Sequence, residues 1–150
     1  MAEFPEKILV ATDGSQDSEL AIQRAVDLSQ KTDSELHMVY VMLISHWMMP
    51  DTLSDSQYQR LKEEAQRLLD EQAEKAKSIG GDVRQAHLQT GRRADEEIIN
   101  LAEEIGADVI VVGSTGGGTI SRAIMGSDAE SIVRHATMPV LVVRSERNGR

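Results

Sequence analysis

The chain contains no cysteine, which excludes both a disulfide framework and a thiolate metal site and leaves the redox compartment without a signature. Positive charge is also in short supply. Sixteen Lys and Arg face 25 Asp and Glu, for a formal net charge of -9 and a pI near 4.9. Binding along a phosphate backbone requires clustered cations that displace counterions, so this balance argues against nucleic acid as a partner. No apolar run approaches the length of a membrane span, and residues 1–14 lack a basic segment followed by an apolar one. The expectation is a cytoplasmic protein without a membrane partner. Low-complexity tracts, internal repeats and long linkers are missing too. At 150 residues the whole chain, 1–150, fits one domain, which buries roughly two-thirds of its unfolded surface.

What is present is an alternation of short apolar runs with segments of helical period. Lys7 to Ala11 is continuously apolar after its first residue and is closed by Thr12-Asp13-Gly14-Ser15, as expected of a strand buried on both faces. A helix is predicted from Asp17 to about Lys31, with Asp17 or Ser15 as its cap. Leu36 to Val41 reads as the second strand and leads into an apolar connector, Leu43 to Gln57, that holds the only Trp. The second helix should run from about Ser56 to Ile79, with Leu61, Ala65, Leu68, Leu69, Ala76 and Ile79 on one face and Gly80-Gly81 as its stop. A more polar strand, Val83 to Leu88, suits a sheet edge. Further elements follow at Ala94 to Ile105 (helix, ended by Gly106), Asp108 to Gly113 (strand), Ser127 to His135 (helix) and Pro139 to Arg144 (strand). Five strands alternating with four helices predict an α/β fold: a doubly wound five-stranded parallel sheet of order 3-2-1-4-5 with helices on both faces. In that order the winding reverses between the first and fourth strands, where ligands of open α/β sheets bind.

The fourth strand runs into Gly113-Ser114-Thr115-Gly116-Gly117-Gly118 and, further on, Gly126-Ser127. Glycines at 113 and 116 allow a ribose or phosphate to approach the backbone, and the helix opening at Ser127 offers unpaired N–H groups to an anion. The same residues also fit a plain structural reading, since Ser127-Asp128-Ala129-Glu130 matches a capping box. A P-loop pattern is absent, and the turn after the first strand lacks the dinucleotide fingerprint. Asp13-Gly14-Ser15-Gln16-Asp17-Ser18 partly matches the loop of ATP pyrophosphatases but lacks its leading Ser and second Gly. His37, His46, His87 and His135 show no ligand spacing, so no metal site is expected.

Taken together, Gly113-Ser-Thr-Gly116, nine residues, Gly126-Ser127, the following Arg134-His135-Ala136-Thr137-Met138-Pro139, the opening Ile8 to Ser15, and the segments Ala94 to Ile98 and Ala107 to Gly113 resemble the universal stress protein family over nearly the whole chain. The glycine spacing is similar to that of the family's ATP-binding branch. The resemblance implies a homodimer and a nucleotide site made of Ala11, Thr12, Asp13, Val41, Gly113, Gly116, Gly126, Ser127 and Asp128. Asp13 would hydrogen-bond the nucleoside and the Val41 backbone would meet the adenine edge. Gly113 and Gly116 would approach ribose and phosphates, and Gly126 with Ser127 would hold phosphate. ATP is the implied ligand, with Mg or Mn held through its phosphates. Two departures bear on this. Asp128 replaces the small or apolar residue usual in the family, placing a carboxylate near any phosphate. Gly117 and Gly118 loosen the loop, in which Arg122 is either a counter-charge or a solvated arginine. The connector with Trp47, Met48 and Met49 is either a lid over the base or packing against the second helix.

No arginine finger or catalytic glutamine is identifiable, so a nucleotide-dependent switch or interaction module in stress response is expected, with a slow ATPase and a nucleotide-free interaction protein as the alternatives. The apolar edge strand Val140, Leu141, Val142 and Val143 would pair with its own copy in the homodimer.

Overall fold

A computed structural model of the chain describes residues 4–44, 54–115 and 126–144. Gly116, Gly117, Gly118, Arg122, Trp47, Met48 and Met49 lie outside the described residues. Within them, β1 (Lys7–Ala11), α1 (Gln16–Thr32), β2 (Glu35–Leu43), α2 (Asp55–Ser78), β3 (Val83–Gly91), α3 (Ala94–Ile105), β4 (Val109–Gly113), α4 (Ser127–His135) and β5 (Val140–Val143) follow one another. The strands form a single sheet of order β3-β2-β1-β4-β5, and all of its ladders are parallel. This is the doubly wound topology expected from the alternation of apolar runs with helical periods.

Side chains of a strand alternate between faces, so β1 serves two cores at once. Ile8 and Val10 join Ala25, Val26, Leu36 and Val111 in one cluster that also takes Leu69 and Ala76 of α2. Leu9 and Ala11 join Val39, Ile98, Ile110 and Ile132 on the opposite face, under α3 and α4. Ile8, Leu9, Val10 and Ile110 are each 0% exposed, and burying such a side chain stabilises the fold by about 1.5–3 kcal/mol. A continuous apolar run is what a strand needs when both its faces are covered.

Local signals set most element ends. Ser15 caps α1, its hydroxyl accepting the Ser18 N–H at 3.2 Å. Ser54 and Gln57 cap α2 reciprocally. Gly106, at φ 73°, ends α3 in the left-handed conformation that glycine adopts without steric cost. Three expectations need correction. Ile79 is 47% exposed and belongs to no core, because it is the residue at which α2 stops. The polar edge strand continues past Leu88 to Gly91, because β2 supplies ladder partners Val41, Met42 and Leu43 for Gln89, Thr90 and Gly91. Ser127 does not cap α4: Gly126 is the N-cap residue, with no side-chain cap bond, and Ser127 is the first residue of the helix.

Candidate functional site

A cleft of about 590 Å³ opens over the C-terminal ends of β1, β2 and β4, within the range of ligand pockets. It lies where the winding reverses, since β1 has β2 on one side and β4 on the other.

Its floor begins with the turn after β1. Thr12 is buried, and its N–H still bonds the Val39 carbonyl at 2.9 Å. The Thr12 hydroxyl donates to Gln72 Oε1 of α2 at 2.9 Å and accepts the Gly14 N–H at 3.2 Å. Gly14 takes φ 82°, which turns the chain sharply into α1. Asp13 is exposed, and its Oδ1 accepts the Ser15 N–H at 2.9 Å, a local turn bond common for Asp. The nucleoside contact expected of Asp13 would have to use its remaining acceptor capacity.

From β2, Val41 to Leu43 and the following Ile44 form one wall. From β4 come Val112, Gly113 and Thr115. A Cβ on Gly113 would lie 2.8 Å from the backbone carbon and oxygen of Asp17, so this glycine is required for α1 to pack against β4. The Asp17 carboxylate in turn accepts the Thr115 hydroxyl. This gives Gly113 a packing reason beside the expected approach to ribose or phosphate. Gly126, Ser127 and Asp128 lie on the facing rim, and Gly126 is tied to the end of β4 by its N–H on the Ser114 carbonyl at 2.6 Å. The first turn of α4 therefore has no side-chain cap competing for its donors.

Eight of the nine expected site residues, Ala11, Thr12, Asp13, Val41, Gly113, Gly126, Ser127 and Asp128, thus line one cleft; the ninth, Gly116, lies outside the described residues. The wall contributed by α2, with Tyr58, Leu61, Glu64 and Leu68, is absent from the sequence-based site. Leu61 and Leu68 follow the helical apolar period and read as core. The available signal was Gln72, a polar residue on that same face, buried at 4% exposure.

The electrostatics are lopsided. Asp13, Glu64 and Asp128 line the cleft, and none of the described lining residues is Lys, Arg or His. Desolvation, then the charges of Asp95 and Asp13, raise the Asp128 carboxyl above its ordinary pKa, with Arg93 partly offsetting them. Behind it, Asp95 is buried. Burial pushes its carboxyl up, but hydrogen bonds from Ser131 and Arg93 outweigh that and hold it below its ordinary value. Arg93 approaches Asp95 at 2.7 Å and Glu96 at 3.1 Å. Its charge is shared with carboxylates before any ligand arrives. A cation held with the ligand would offset the carboxylates that a polyanion meets at α4.

Comparison with known proteins agrees with this architecture. A universal stress protein of Staphylococcus aureus is 37% identical over 142 residues, covering 94% of this chain and 85% of its own length. Among solved structures, the protein MJ0577, whose structure served a structure-based assignment of biochemical function, superposes with a TM-score of 0.81 at 25% identity, over 95% of this chain and 98% of its own. A universal stress protein in complex with cAMP gives 0.73 at 24% identity, covering 94% and 98% of the two chains. One from Archaeoglobus fulgidus in complex with dAMP gives 0.69 at 20%, covering 95% and 100%. At those two identities the likeness concerns the fold. A sequence profile of the Universal stress protein family matches residues 5–144, and the chain belongs to that family.

Proposed function

We propose that the protein binds an adenine nucleotide, ATP in the first instance, in the cleft between β1 and β4, and acts as a nucleotide-dependent switch or interaction module. The observation that carries this reading is the convergence on one cleft of the turn after β1, the end of β4 and the uncapped start of α4. An apolar wall of Val41, Met42, Leu43 and Leu61 suits a base, and the α4 donors suit a phosphate. Relatives of the same fold whose solved structures hold cAMP and dAMP support the adenine assignment. The carboxylates at Asp13, Glu64 and Asp128 make Mg or Mn, held through the phosphates, a requirement for tight triphosphate binding. Binding is favoured over hydrolysis because no described lining residue is an Arg or Gln that could stabilise the transition state or orient an attacking water.

Heat-denaturing the purified protein and chromatographing the supernatant tests this reading. Co-purified ATP is expected; ADP produced over multiple turnovers would favour the ATPase. Absence of any nucleotide, together with flat calorimetric titrations of ATP, ADP and AMP in the presence of Mg, would refute the binding function.

Homodimerisation through β5 is the second part of the proposal. Leu141 points outward at 40% exposure, and Val133 of α4 is 47% exposed. Val140 and Val142 instead pack partly into the α3/α4 core, so Leu141 rather than Val142 is the position to change. Light scattering should report a dimer at micromolar concentration and a shift to monomer in Leu141→Lys; a monomeric wild type would overturn the assembly.

A further inference from the structure

On the α3 side of the sheet, away from the cleft, two imidazoles meet. The His37 side chain on β2 is 7% exposed. Its Nδ1 lies 3.0 Å from Nε2 of His87 on β3, and its Nε2 lies 2.7 Å from Glu35 Oε1. The ring planes differ by 22° and the centroids are 5.3 Å apart. With the nearest nitrogens at 3.0 Å, that separation sets the rings edge to edge, so the contact is a hydrogen bond and not a stack.

The strands bring this about. His37 pairs with Gln85 and Val39 with His87, which makes the two histidines diagonal neighbours on one face. The register shifts between Leu36 and His37, so that Arg84 has no ladder partner on β2, and its guanidinium lies 4.0 Å from Glu35. A bulge of this kind re-aims a side chain at a sheet edge.

The hydrogen-bond inventory fixes the protons. Glu35 as a carboxylate only accepts, so His37 Nε2 carries a hydrogen, and Nδ1 of neutral His37 accepts from His87 Nε2–H. One additional proton is tolerated, either on the outer nitrogen of His87 or by reversing the inner bond. Two additional protons put N–H against N–H across 3.0 Å, and the bond is lost. Charged neighbours come from each element packed around the pair: Glu35 on β2, Lys7 on β1, 3.9 Å from Glu35, Arg84 on β3, and Glu104 on α3, whose charge acts on His87. Glu104 favours a proton on His87, whereas Lys7 and Arg84 act on Glu35. Burial and then the charge of His37 lower the pKa of His87 against the opposing effect of Glu104. The hydrogen bond from His37 is the chief cause of the lowered pKa of Glu35.

We propose that the His37–His87 pair is a proton-operated latch on the edge strand: with at most one additional proton it adds a side-chain tie to the β2–β3 ladder, and with two that tie is lost and β3 opens more readily. In the unfolded chain an imidazole takes a proton near pH ~6.5, whereas in the folded chain burial and the neighbouring His37 move His87 below that value. Between those values the unfolded chain holds more protons, so stability falls as the pH falls. For a difference of one proton the unfolding constant rises about tenfold per pH unit.

Nuclear magnetic resonance of the imidazole nitrogens in the full chain, with amide hydrogen exchange corrected for intrinsic rates, tests this between pH 7.5 and 5. Expected are a persistent Nε2–H on His37, protonation of His87 below the ordinary imidazole range, and loss of protection in β3 before β1 and β4. In His87→Gln the side-chain amide donates to His37 without titrating, and early loss of β3 protection should fall about tenfold, the change set by one proton over one pH unit. Independent single-site titration of the two rings, or β3 opening no earlier than β1, would overturn the latch. If His87→Gln does not fold, the wild-type titration and exchange decide the question alone.

Discussion

At the N-terminal end of β1, the Asp108 carboxylate accepts the backbone N–H groups of Glu6 and Lys7 at 2.7 and 2.9 Å, and the Lys7 ammonium reaches the Ile105 carbonyl at 2.8 Å. At the C-terminal end, Asp13, Glu64 and Asp128 border a cleft whose described lining residues include no cation. One end settles its carboxylate on backbone donors within the fold; the other gathers three carboxylates around one cleft. Departures from local physical rules concentrate at functional sites, so the difference sets the end that secures the fold apart from the end at which nucleotide binding is proposed.

Three substitutions probe that division. Gly113→Ala should have the largest effect, because its Cβ would meet Asp17 backbone at 2.8 Å and α1 must shift to accept it. A loss of roughly 1 to 3 kcal/mol in denaturant unfolding is expected, together with weaker nucleotide binding, since the same shift disturbs the cleft. Wild-type stability in this variant would show that β4 and α1 are not held as described. Asp108→Ala should cost about 2 kcal/mol, for two backbone donors deprived of a charged acceptor, and leave ATP affinity unchanged. A changed affinity would erase the distinction between the two ends. Asp128→Asn should have the smallest effect, tightening ATP binding by roughly threefold in calorimetry, as a rim charge does, and AMP binding by less. Because the Asp128 pKa is raised, its charge fades as the pH falls. The advantage of the Asn variant over wild type should therefore shrink toward acid, and an equal effect on ATP and AMP binding would show that this carboxylate is not what the terminal phosphates of ATP meet.

Legibility in the sequence followed local punctuation. The bounds of α3 and α4 were readable because Gly106 stops one and Gly126-Ser127 opens the other. The end of β3 was not, because Gln89, Thr90 and Gly91 are in a strand through the ladder that β2 offers and not through their own preference. The β1 turn and the β4 end of the cleft were marked by glycines and by Asp13. The α2 wall was hidden, since a leucine at helical spacing has the same signature whether it meets a core or a cleft. The misassigned cap on α4 has a related cause: Ser127 and Glu130 stand at capping-box spacing, but Gly126 occupies the cap position. The histidine pair was invisible for a topological reason, since 50 positions separate His37 from His87 and only the bulged ladder makes them neighbours.

The hydrogen bond from Thr12 to Gln72 gives α2 a mechanical role. A helix of 24 residues is about 36 Å long. Its N-terminal part walls the cleft through Tyr58, Leu61, Glu64 and Leu68, and Gln72, one turn beyond Leu68, fastens it to the cleft floor. Because Leu69 and Ala76 on either side of Gln72 are held in the core, a ligand that displaced Thr12 would have to break this bond. The exposed charges on the same stretch of helix, among them Lys62, Glu63, Arg67 and Glu71, would then sit on a helix that had lost its tie to the floor, so a change inside the cleft would be felt on the outside of the molecule.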